Sequence, residues 1–166
     1  RLLEGTTFIG FALPGIVVAL SLVFLGANYV RPLYQTRAML VFAYVVLFLP
    51  TASGAIRSAL LQVNPNLEEA ARSLGRRPWR VLAEVTLPLV RSGLLGGAAL
   101  AFLVIMKELP ATLILSPIGF KTLATSLWGS VSEAFFARAA APALLLVLAS
   151  SLSLALLLSQ EKRRER

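Results

Sequence analysis

An all-α, polytopic transmembrane helical bundle is the fold this chain predicts, and three observations predict it. Of 166 residues, 57% are hydrophobic and only 14% carry charge, against about a quarter charged in a soluble domain. The charges gather in short clusters, leaving residues 5–30, 38–56 and 139–160 free of them. Each run approaches or exceeds the roughly 20 residues needed to cross about 30 Å of hydrocarbon. The longest polar interval, residues 57–91, lies between apolar segments. Together these predict about four full spans plus an interrupted segment after the third. They form a single membrane domain over residues 1–166, with residues 64–88 as a loop within it.

The first run holds Pro14-Gly15, which predicts a kink that neighbouring helices can satisfy. A polar turn comes next at residues 31–37. The second run contains Pro50 and the small residues Ala52, Ser53 and Gly54, which permit close helix packing. Residues 92–106 are uncharged but short for a crossing, and Gly93, Gly96 and Gly97 give them one thin face. Lys107-Glu108-Leu109-Pro110 and a second short apolar piece broken by Pro117 and Gly119 then suggest an interrupted or re-entrant element. In transporters such breaks tend to mark a substrate path. Residues 121–138, with Trp128 and Phe135-Phe136, predict a helix near the interface. The charged tail, residues 161–166, closes the last span.

The polar interval reads as two short helices. Asn66 is placed to cap the first, with Glu69 three residues on completing a capping box. Leu67, Ala70, Ala71 and Leu74 share one face, and Glu68 and Arg72 can pair at i, i+4. Gly75 supplies a left-handed stop. Pro78 opens the second helix, whose Trp79, Leu82, Ala83 and Thr86 repeat the apolar spacing until Pro88 ends it. A weakly apolar knob of this kind makes a poor core and a good plug for another protein's groove.

The net charge is +8 and the isoelectric point about 11.1, but the distribution fits a membrane topology rather than nucleic acid. With four spans, Arg31, Arg37, Lys107, Lys121 and Arg138 fall on one side and the remaining eleven of the 16 Lys and Arg on the other. The richer side faces the cytoplasm, so the 57–91 loop and the tail are expected there. A helix-turn-helix reader of DNA is disfavoured, because Pro78 and Trp79 stand where base-reading side chains would. Without Cys or His, thiolate metal sites and Ser-His-Asp or Cys-His catalysis are excluded. No GxxxxGK[ST] phosphate loop occurs either, so no enzymatic activity or bound cofactor is expected. The eight Glu, scattered along the chain, are its only acids and form no evident iron cage.

Glu69-Ala70-Ala71, three residues, Gly75, nine residues and then Val85-Thr86-Leu87-Pro88 resembles the EAA loop of type I ABC importer permeases. KELPATLIL, then SPIGFKTLATSLW, residues 107–128, is similar to the ferric-iron subgroup of that family. The resemblance covers essentially the whole chain and is strongest over residues 64–125. It implies an inner-membrane permease whose helices before Arg1 are missing from this sequence. Glu69, Ala70, Ala71, Gly75, Leu87 and Pro88 would couple it to ABC ATPase subunits, which use the ATP. Lys107, Glu108, Pro110 and Thr112 would lie on the translocation path or pin the break. The other implied partners are a periplasmic substrate-binding protein that holds the iron, a second permease half or copy, and membrane lipid. Thiamine, sulfate or polyamine would be alternative cargoes, and a membrane-anchored interaction protein without transport is the competing function.

Overall fold

A computed structural model describes residues 14–164, with side chains described as far as residue 155. The expected first span therefore lies partly outside the described residues, as do Arg1, Glu4 and the end of the tail. In chain order, α1 is Gly15–Asn28, with a 3-10 turn after it at Arg31–Leu33. Then come α2 (Arg37–Leu60) and α3 (Pro65–Ser73). The long helix α4 covers Pro78–Ile105 and passes through a π turn at Leu82–Thr86. Last are α5 (Pro110–Leu115), α6 (Leu123–Ser132) and α7 (Phe136–Arg164). No strand occurs among the described residues.

Three of these helices, Arg37–Leu60, Pro78–Ile105 and Phe136–Ala155, are long and apolar enough to cross a membrane. The described part of the first expected span is the shorter α1, which begins at Gly15 with Pro14 in extended conformation (ψ 137°) ahead of it. Outward-facing Phe24, Phe42, Leu144 and Val147, each more than half exposed, give the bundle the apolar girdle that lipid or further helices would cover.

Two departures from the sequence expectation occur in α4. Residues 92–106 look too short to cross, yet all but Met106 belong to the end of a 28-residue helix, Pro78–Ile105. Arg91 marks a boundary in the charge pattern, but it is exposed, and a long basic side chain can carry its head outward from an otherwise apolar helix. Pro88, expected to end a helix, instead lies inside one. The π turn puts the Leu87 N–H onto Leu82 O, and the wider register carries the helix past the position where Pro88 has no N–H to give.

The buried core joins α1, α2 and α5: Val18, Ala19, Leu22, Met39, Leu40, Ala43, Leu47, Ala111 and Leu115 pack together. Ala19, Ala43 and Ala111 are fully buried, so small side chains let the backbones approach, as association inside a bilayer requires. On the other side α4 packs on α2 and α7, and α6 packs on α7. The α2–α4 crossing is tight at Gly97, where a Cβ would collide with the Ala55 Cβ. This is the close contact that the glycines at 93, 96 and 97 predict.

Candidate functional site

The knob between α2 and α4 is set by local chemistry. Asn64 caps α3, its side-chain oxygen accepting from the Asn66 N–H at 3.0 Å. Pro65 occupies the first helical position. The sequence pattern places the cap at Asn66 with Glu69 closing a capping box. Proline decides otherwise: its fixed φ suits the first turn and its missing N–H is no loss there. The start therefore moves two residues upstream, and Glu69 no longer stands three residues after the cap. At the far end Gly75 takes φ +77°. Its N–H donates to Arg72 O at 2.9 Å, and the Arg76 N–H to Ala71 O at 3.2 Å, which is a Schellman stop.

No residue of α3 is buried. Glu69 and Ala70 are exposed and Ala71 is half-buried, while Leu67 is 47% and Leu74 84% exposed. Trp79, at the start of α4, stands 61% exposed beneath the Arg80 guanidinium, 5.3 Å from its ring. Among the described residues no ion pair reaches the Glu69 carboxylate. The knob therefore presents small and apolar side chains outward, with one free acid among them. Leu87 and Pro88 lie exposed on α4, just past the π turn.

Polar ties hold the knob against α4. The Thr86 hydroxyl donates to Glu68 Oε1 at 2.7 Å, and the other Glu68 oxygen stands 3.6 Å from Arg72, the pair the i, i+4 spacing predicts. Arg76 and Glu84 form a second link at 3.0 Å. Glu68's bond to Thr86 and the Arg76–Glu84 pair are not legible in the sequence. Thr86 counts there as one more position on an apolar face, and only the fold brings its hydroxyl to a residue 18 positions earlier.

The second candidate group divides. After α4 ends, Lys107 and Glu108 turn to opposite sides. Glu108 folds inward: its Oε1 accepts the Ala111 N–H at 3.0 Å, capping α5, and it lies 3.2 Å from where a Cβ on Gly15 would be. Thr112 is fully buried. Its hydroxyl donates to Glu108 O at 2.8 Å and so accepts from the Tyr44 hydroxyl. Pro110 is the exposed first residue of α5. Lys107 is exposed on the rim of an open cavity of about 720 Å³ between α4, α6 and α7, with Leu103, Trp128 and Leu146 among its walls. The chain does break after the third apolar stretch, between Ile105 and Pro110, and the Glu108 carboxylate accepts a hydrogen bond from the first turn of the short helix that follows. Among the described residues no three His, Cys, Asp or Glu side chains gather into a metal site.

Known proteins resemble this chain in sequence. The family described as binding-protein-dependent transport system inner membrane component matches residues 1–166. The Fe(3+)-transport system permease protein FbpB 2 of Haemophilus influenzae is 42% identical over 146 residues, covering 88% of this chain and 29% of that protein. The molybdenum transport system permease protein ModB of Escherichia coli is 44% identical over 73 residues, 44% of this chain and 32% of its own length. PhnV of Salmonella typhimurium, whose name assigns it provisionally to 2-aminoethylphosphonate transport, is 27% identical over 155 residues, 93% of this chain and 57% of that protein. The chain spans less than two thirds of the length of each of these relatives.

Proposed function

The chain belongs to the family of binding-protein-dependent transport system inner membrane components, and on that premise we propose that it forms part of the permease of an ABC importer carrying ferric iron across the bacterial inner membrane. The observation that supports this reading best is the largely exposed α3, a helix with defined ends and no buried residue. A surface kept in shape without a core of its own is suited to a partner's groove. Glu69, Ala70, Ala71 and Gly75 form the docking face for an ATPase subunit on the cytoplasmic side. Leu87 and Pro88 lie where its motion enters the span. ATP is bound and hydrolysed by that partner. A periplasmic binding protein delivers the cargo, and a second permease copy or half completes the path. Rigid displacement of α3 then flips the cavity between inward and outward access. Of the four residues at the break, Lys107 faces open space and is assigned to the path. Glu108, Pro110 and Thr112 hold the re-entrant piece. Ferric iron is favoured by the 42% identity to FbpB 2.

The test is uptake in proteoliposomes that contain the full-length permease, its ATPase and its binding protein, supplied with ferric iron or with molybdate as the comparison cargo. Gly75→Leu is the informative variant. Nothing lies within 4 Å of an added Cβ, so its cost is the left-handed strain of about 1–2 kcal/mol, a factor of roughly 5–30 in the population of the docked geometry. Uptake should fall by about that factor while membrane insertion and ATP hydrolysis persist. Wild-type uptake in Gly75→Leu would overturn the coupling role, and uptake of molybdate in place of iron would overturn the cargo.

A further inference from the structure

We propose that Glu68 and Thr86 are positioning residues that latch α3 to the π turn of α4, making that turn the point where movement of the knob enters the membrane span. This deepens the permease reading and rests on it.

The hydroxyl of Thr86 behaves unlike most others in this molecule. Ser21 donates to Val17 O, Ser73 to Glu69 O, Ser130 to Ser126 O and Ser153 to Ala149 O, each back onto its own helix as helical hydroxyls commonly do. Thr86 instead donates across 18 residues to Glu68. It is only 3% exposed, so without that acceptor a buried donor would be left unsatisfied. The acceptor is a carboxylate, which makes the bond charge-assisted. The Glu68 side chain is 32% exposed, and its second oxygen stands 3.6 Å from the Arg72 guanidinium.

The place where the latch closes matters as much as its strength. Thr86 is the last residue of the π turn, and Glu84, partner of Arg76, lies within the same five residues. Both ties from the knob therefore land on one turn. A π turn holds one residue more than an α turn, rotating the later part of α4 by about 100° relative to an unbroken helix. That offset decides which side chain of α4 faces α3. On the far side of α3 the chain turns at Gly75, which has open space around it. Without the latch α3 would swing at this turn rather than push. The Arg76–Glu84 pair, about half exposed on both sides, is too solvated to replace it.

The experiment measures cargo moved per ATP hydrolysed, using the full-length permease assembled with its ATPase in proteoliposomes. Thr86→Val keeps the shape and removes the donor, so cargo per ATP should fall about tenfold, the weight of one charge-assisted hydrogen bond, while the ATPase still co-purifies and still turns over. Glu68→Ala should fall similarly, and the double variant no further than either alone. Thr86→Ser, which restores the hydroxyl, should restore coupling, whereas Arg76→Ala should change it less than about twofold. Wild-type coupling in Thr86→Val, or failure of Thr86→Ser to rescue, overturns the latch and leaves the permease reading standing. A wild-type chain that retains no ATPase overturns the permease reading and the latch with it.

Discussion

The corner built by α1, α2 and α5 and the knob built around α3 are held together by opposite means. In the corner, Ala19, Ala43 and Ala111 lose all contact with solvent. Even a polar side chain is enclosed there, Thr112 joining Tyr44 to the Glu108 carbonyl. In the knob nothing on α3 is buried. Its shape comes from an asparagine cap, a glycine stop and two polar ties. Within a bilayer apolar side chains gain little by leaving lipid, so structure there depends on close fit and satisfied hydrogen bonds. In the aqueous phase exposed apolar residues do have somewhere better to go. Leu67, Leu74 and Trp79, left outside, belong to the surface proposed to meet a partner, while the corner is packed against itself.

This contrast breaks first if the corner proves tolerant. Leu115→Ala removes one of the largest fully buried side chains and should cost about 2–3 kcal/mol through the cavity it leaves, measured as the shift of an SDS-unfolding midpoint for the full-length protein. A loss below about 0.5 kcal/mol would show that the corner is loosely packed. Thr112→Val comes next. It strands the Tyr44 hydroxyl and should cost about 1 kcal/mol, between the soluble-protein value and the smaller average found within membranes. Leu74→Ser sharpens the contrast from the other side: at 84% exposure it should leave that midpoint within about 0.5 kcal/mol. It should nonetheless weaken co-purification of the ATPase, and unchanged capture would mean that α3's outer face is not the contact.

Where local chemistry governs, the residues announce the structure. Gly75 marks the left-handed stop, Glu68 and Arg72 the helical pair, and Lys107 to Pro110 the break after the third span. Where two local signals compete, the pattern misleads: Asn66 with Glu69 looks like a capping box, yet Pro65 starts the helix at Asn64. Pro88 looks like a stop because a π turn has no residue pattern of its own. The contacts that give each site its geometry are hidden for a different reason. Glu68 meets Thr86 and Glu108 meets Gly15 only after the chain has folded, and no periodicity encodes a meeting between residues so far apart in sequence. The exposed Glu69 and the exposed Leu67 and Leu74 accord with the local amphipathic pattern of α3 and its C-cap; the enclosure of Thr112 requires α1 and α2 to be in place.

The Gly97–Ala55 crossing, where the Ala55 methyl group takes the place a side chain at Gly97 would need, divides α4 unequally, about 28 Å on the Pro78 side and about 12 Å on the Ile105 side at 1.5 Å per residue. Any tilt about that fulcrum makes the helix a see-saw with a long arm on the Pro78 side and a short one on the Ile105 side. A nudge at the tryptophan end arrives beside Lys107 reversed in direction and shrunk to less than half its size, so a coarse stroke becomes a fine adjustment.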